Sequence, residues 1–127
     1  MSAYSKGLFN PVGSVLLKFT QIAPGRGVPI PAESLITGAY VVKAVVIDNR
    51  ANGSDSAFLK LWEAAPVPVS AAQAEIVLKA PPSTRLQYSF EPGINMTNIF
   101  GAFTSAASST SVDAPAGNVT ANILLGV

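Results

Sequence analysis

The sequence predicts an all-β chain: an antiparallel β-sandwich or jelly roll of about 6–8 strands, preceded by an extended N-terminal arm. Three observations predict it. Short runs rich in Val, Ile, Leu and aromatic residues recur between turn-forming clusters. No run keeps a 3.6-residue apolar period long enough for a helix. The connections carry the Gly, Pro, Asn and Asp residues that β-turns and loops use. At 127 residues the chain has the size of one ordinary domain, which buries roughly two thirds of its unfolded surface. A barrel of similar strand number is the nearest competing architecture.

Residues 1–38 form the predicted arm, rich in Gly and Pro. Within it, "VGSVLLKF" (12–19) sets Val15, Leu17 and Phe19 against Ser14, Leu16 and Lys18, which fits one strand with an apolar face. The following "APGRGVPIPAES" (23–34) excludes a helix or a central strand, because proline removes backbone donors and fixes φ. An arm that carries its own strand is suited to pairing with a neighbour, so Val15, Leu17 and Phe19 are candidate partner-contact residues.

The predicted body spans 39–127. "AYVVKAVVID" (39–48) is apolar on both faces and reads as central. "NRANGSDS" (49–56) is a loop, and "AFLKLWE" (57–63) is expected to return from it as the second strand of a hairpin. "AEIVLKA" (74–80) is a strand that stops at Pro81 and Pro82. "RLQYSF" (85–90) places Leu86, Tyr88 and Phe90 on one face, "EPG" (91–93) reads as a turn, and "NIFGAFT" (98–104) as the next strand. "VTANILL" (119–125) closes the body with Val119, Ala121, Ile123 and Leu125 on one face. The polar stretch between the last two strands, 105–118, is too long for a tight hairpin.

Composition narrows the function. Apolar residues make up 49 % and charged residues 12 %, against about 25 % charged in a typical soluble domain. So little charge predicts that part of the surface is covered by other subunits, as in an oligomer or a lattice. The eight Lys and Arg residues are spread singly, which argues against nucleic acid, whose binding needs several phosphate contacts together. No secretory signal and no membrane-spanning run is expected: "MSAYSKGLFNPVGS" lacks the apolar core of a signal, and Lys43 and Asp48 interrupt the best apolar stretch.

The chain has no histidine and no cysteine. Catalytic triads, thiol nucleophiles and His- or Cys-based zinc sites therefore lack their essential groups. Carboxylates remain, and Asp48 with Glu63, at the two ends of the expected hairpin, is the one pair that could act on a glycoside. Solvated strand-end charges are the plainer reading of both. "DNRANGSD" (48–55) resembles a calcium loop only in part, with Arg50 at a ligand position and Leu59 where the bidentate glutamate belongs. "GRGVPI" (25–30) lacks the third glycine of a dinucleotide loop. Asn52, Asn95 and Asn118 begin N-x-S/T triplets, which read as polar turn and strand residues. No metal or cofactor is expected. The lone Trp62 alternates with Phe58 and Lys60, opposite Leu59 and Leu61. With the two leucines facing the core, Lys60 and Trp62 face outward as candidate contact residues, Trp62 half-exposed as interface aromatics often are.

Taken in order, "AFLKLWEAAPVPV", "FEPGINMTNIFGAFT" and "VTANILL" resemble small virion structural proteins of tailed bacteriophages over about residues 40–125. Leu59, Lys60, Leu61, Trp62 and Glu63 match a family strand of the form y-V-K-L-Y-D. Pro92, Gly93 and Ile94 match a P-x-G-I segment, and Asp113 falls in an aspartate-containing loop before the last strand. The chain departs from the family pattern at "INMTNIFGAF", where F-x-T-G is usual. The resemblance implies a non-enzymatic β-sandwich on a virion, with no catalytic residues to transfer. It implies a capsid cement or decoration protein, trimeric over threefold positions, that binds the major capsid protein at the capsid surface after synthesis in the host cytoplasm. A tail or baseplate subunit is the alternative within that class; a carbohydrate-binding or adhesin module is the alternative outside it.

Overall fold

The computed structural model describes residues 14–22, 31–64, 73–108 and 113–126. Six strands account for its regular structure: β1 (Val15–Gln21), β2 (Glu33–Asp48), β3 (Ala57–Trp62), β4 (Ile76–Ala80), β5 (Arg85–Thr104) and β6 (Val119–Gly126). All pairings are antiparallel and the described residues include no helix, so the all-β antiparallel class holds. The strands form one sheet in the order β1-β6-β2-β5-β3-β4.

One sheet makes a sandwich-like body because β2 and β5 are long and bend. Their first stretch of pairing, Asp48↔Arg85 to Ala44↔Ser89, is followed by Val42↔Ile94, so Phe90, Glu91, Pro92 and Gly93 stand opposite Lys43 alone. Lys43 is also the extra residue against β6, between Val42↔Leu125 and Ala44↔Leu124. Bulges of this kind bend a strand and increase its twist. Beyond the bend, β5 pairs with β3, and β3 with β4. The sheet folds over into two layers, one built on β1, β6 and the C-terminal half of β2, the other on β3, β4 and the C-terminal half of β5.

Contacts between strands that are not sheet neighbours fix the closure. Phe19 of β1 stacks on Phe103 of β5, with ring centroids 5.4 Å apart. The Gln21 side chain accepts from the Phe103 N–H at 2.8 Å and donates to the Phe103 carbonyl at 2.9 Å, standing in for a missing strand. At the other edge, the Tyr88 hydroxyl donates to the Lys79 carbonyl. Between the layers lies one apolar core that includes Phe19, Val42, Val45, Ile47, Leu59, Leu61, Met96, Ile99, Phe103, Ile123 and Leu125.

The bulge explains a pattern that alternation alone leaves ambiguous. Val42 is buried before Lys43, and Val45 and Ile47 after it. The buried parity switches at Lys43, so "AYVVKAVVID" looks apolar on both faces.

Three sequence expectations are corrected. "EPG" is not a turn between strands; with its cis Glu91-Pro92 bond and Gly93 at φ 121°, it is the bulge inside the continuous β5. The expected pairing of 39–48 with 57–63 does not form, because β5 lies between β2 and β3. Residue 38 is not a boundary either: β2 begins at Glu33 and runs through it, and β1 is the edge strand of the body, paired with β6. β1 joins its own sheet because Val15, Leu17 and Phe19 cover core that β6 would otherwise leave open. The rest of the arm, 1–13 and 23–30, lies outside the described residues.

One end of the sandwich is pinned by a buried polar cluster. The Asn49 side-chain amide donates to the carbonyls of Asp55 (2.9 Å), Ala80 (3.1 Å) and Pro81 (3.0 Å). The Asn52 amide donates to Asn49 Oδ1 at 2.7 Å, and Asn52 Oδ1 accepts from the Gly117 N–H. Asp55 Oδ2 accepts from the Ala116 N–H at 2.9 Å. Three loops, after β2, after β4 and before β6, are thereby joined with their buried carbonyls satisfied.

Two substitutions test this construction by chemical denaturation. Asn49→Ala strands several buried acceptors and should cost on the order of 3 kcal/mol. Gly93→Ala should cost about 1–3 kcal/mol, since the backbone is left-handed there and an added Cβ would lie 2.5 Å from Val41 Cγ1.

Candidate interaction surface

The five residues proposed from sequence as partner contacts all lie inside the described fold. Val15, Leu17 and Phe19 pack on the main core. Lys60 and Trp62 are 1 % and 2 % exposed, so the half-exposed Trp62 expected from alternation is corrected. Leu59 and Leu61 do face the main core, but the opposite face of β3 is covered as well. Trp62 packs there with Ala74 and Ala102, flanked by Ala32, Val77 and Phe100. Small residues on β5 and before β2 and β4 leave room for the indole.

Lys60 reaches out from the same face and donates to the Ser108 carbonyl at 2.6 Å, tying β3 to the segment that follows β5. The neck of that segment is closed by the Ser105 N–H donating to the Asp113 carbonyl. Burial holds the Lys60 ammonium below the usual lysine range, because desolvation penalises its charged form.

Asp48 and Glu63 do not converge. Asp48 stands beside Arg85. Glu63 lies near the bend, where its Oε2 accepts from the Thr97 N–H at 2.8 Å. The stretch of β5 from Arg85 to the bend at Gly93 rises about 3.3 Å per residue, so the pair sits at opposite ends of the sandwich, far beyond the roughly 9 Å limit of a glycosidase pair. Asp48 is also locked. Arg50 donates to it through Nε (3.0 Å), a terminal guanidinium nitrogen (2.7 Å) and its own backbone N–H (3.1 Å). These bonds lower its pKa from 3.8 to about 2, so it is an anion at neutral pH with no proton to give.

A hollow of about 340 Å³ near the bend is lined by Tyr40, Glu63, Asn95 and Thr97 among others. Its carboxylate, Glu63, is already engaged by the backbone N–H of Thr97 within β5. Among the described residues no group of three acidic side chains could hold a metal ion. The would-be calcium loop is instead the polar cluster of Asn49, Asn52 and Asp55. Asn52 is buried, whereas Asn95 and Asn118 are exposed.

Among the described residues, what the fold leaves open is the outer face of the β1-β6-β2-β5 layer. Register places Leu16, Leu124, Ala44 and Ser89 in one cross-strand row, and Lys18, Asn122, Val46 and Gln87 in the next. Thr20, Thr120, Asp48 and Arg85 form a third. Charge is sparse and lies mostly at one end. At the margin β1 has a paired strand on one side only among the described strands, and Leu16 and Ile22 stand 59 % and 69 % exposed beside it. Sequence reasoning missed these two because it followed the apolar face of β1; the outward position of Leu16 beside Lys18 was the available signal.

No protein-family model and no curated protein matches this chain.

The Lys60 environment gives a signed pH dependence. With the folded pKa below the unfolded value of about 10.5, the unfolded chain binds the extra proton between the two, so stability rises with pH through that window. Urea denaturation of the protein and of Lys60→Met should therefore give a stability difference that moves in favour of the unsubstituted protein as pH is raised from 7 toward 10.

Proposed function

We propose that this chain is a non-enzymatic virion structural protein of the capsid cement or decoration type, which stabilises a shell by bridging neighbouring major capsid subunits. The observation that carries the reading is the charge-poor outer face with its open edge strand, joined to the ordered resemblance of "FLKLWE", "EPGI" and the final strand to small phage structural proteins. A surface of this kind stabilises an assembly by being covered. The mechanism is linkage: a protein that binds only the assembled shell lowers the free energy of that state. The burial of Trp62 counts against a carbohydrate-binding module, whose sugar-stacking aromatic has to be exposed.

The decisive experiment mixes the protein with shells of the encoding phage that were assembled without it. Co-sedimentation to a saturating ratio and a higher temperature of genome release are expected. Absence of binding overturns the proposal, and attachment to tails alone favours the tail-subunit reading. The arm is tested by deleting residues 1–13, which leaves all six strands intact and should preserve cooperative unfolding while weakening attachment. Deleting 1–38 removes β1 and the start of β2, and should prevent folding.

A further inference from the structure

Leu16 and Ile22, the large apolar residues left exposed among the described residues, flank one edge strand. They lie three residues either side of Phe19, on the outward alternation that includes Lys18 and Thr20. We propose that two copies of the chain pair through their β1 edges, antiparallel about a two-fold axis at Phe19, in place of the trimer that the family resemblance implies.

The register follows from the side chains. An axis at Phe19 sets Leu16 against the second copy's Ile22, Leu17 against Gln21 and Lys18 against Thr20. Both exposed apolar residues then find apolar partners, twice over by symmetry. Moving the axis to Lys18 puts two ammonium groups directly opposite each other, which disfavours pairing. Moving it to Leu17 sets Leu16 against Lys18. An axis on a residue also keeps each outward-facing backbone group opposite another, as a continuous ladder requires. A lysine on an edge strand usually blocks pairing; here it leaves one register open and penalises the next.

The paired segment is short. Seven residues of edge pairing cover less than the roughly 800 Å² per partner of a standard interface, so the isolated contact is weak, with a Kd of about 10 µM to 1 mM. The pairing does not depend on the virion reading, because any protein with this edge would show it.

Sedimentation velocity of the full chain from about 1 µM to about 1 mM should show a reversible monomer–dimer equilibrium. Leu16→Glu and Ile22→Glu should each weaken it at least about tenfold, with thermal unfolding unchanged. Thr20→Glu brings a carboxylate opposite Lys18 of the second copy and should tighten the dimer severalfold, a gain lost in high salt. A monomer at every concentration, a trimer, a dimer indifferent to Leu16→Glu and Ile22→Glu, or a Thr20→Glu variant that associates no more tightly would each overturn the proposal.

Discussion

The pairing of β2 with β5 carries the rest of the molecule. β6 and then β1 attach to the free side of β2, and β3 and then β4 to the free side of β5. Because both long strands bend where Lys43 faces the bulge of residues 90–93, the two halves of the sheet are brought face to face. A flat sheet of these strands would leave Val45, Ile47, Ile123 and Leu59 in water. The bend encloses them between layers at no cost in strand pairing beyond the few residues that the bulge leaves unmatched, and Lys43 returns part of that by donating to the Pro92 carbonyl.

Closure at the two ends is achieved by opposite means. Near the bend, the backbone itself turns. At the far end, loops of unrelated sequence meet, and side-chain amides take over the role of strand partners. Asn49 shares its two amide hydrogens among three carbonyls, a density of bonding that a core of apolar loops could not supply without stranding backbone groups. Lys60 performs a similar service for the segment after β5 with a charge that burial disfavours.

The strands with simple alternation were legible in the sequence, β4 and β6 to within two residues and β1 to within three. What failed was whatever depended on distant partners. Pro92 and Gly93 are turn formers by local chemistry, and the same chemistry serves a bulge when β2 supplies a partner on both sides. The run after the Asn-Gly loop looked like the return strand of a hairpin because it came next in the chain, whereas β5 offered β2 a longer apolar match. Trp62 looked half-exposed because its cover comes from Ala32, Ala74 and Ala102, none of which signals a roof over β3. The same limit applies to the interaction surface: the absence of histidine, the scarcity of charge and the outward position of Leu16 were there to be read, but the open edge beside Leu16 and Ile22 follows only once β1 is known to end the sheet.

The polar cluster also bears on how long such a protein lasts. Asn52-Gly53 is the dipeptide in which a backbone nitrogen attacks the preceding side-chain amide with least steric hindrance, converting asparagine to aspartate or isoaspartate. That cyclisation needs the amide to swing freely toward the glycine nitrogen. Asn52 is held at both ends, by Asn49 Oδ1 and by the Gly117 backbone. Chemical ageing at this position is thereby coupled to opening of the loop end of the sandwich, so the cluster that fixes the fold also sets the clock on its covalent integrity.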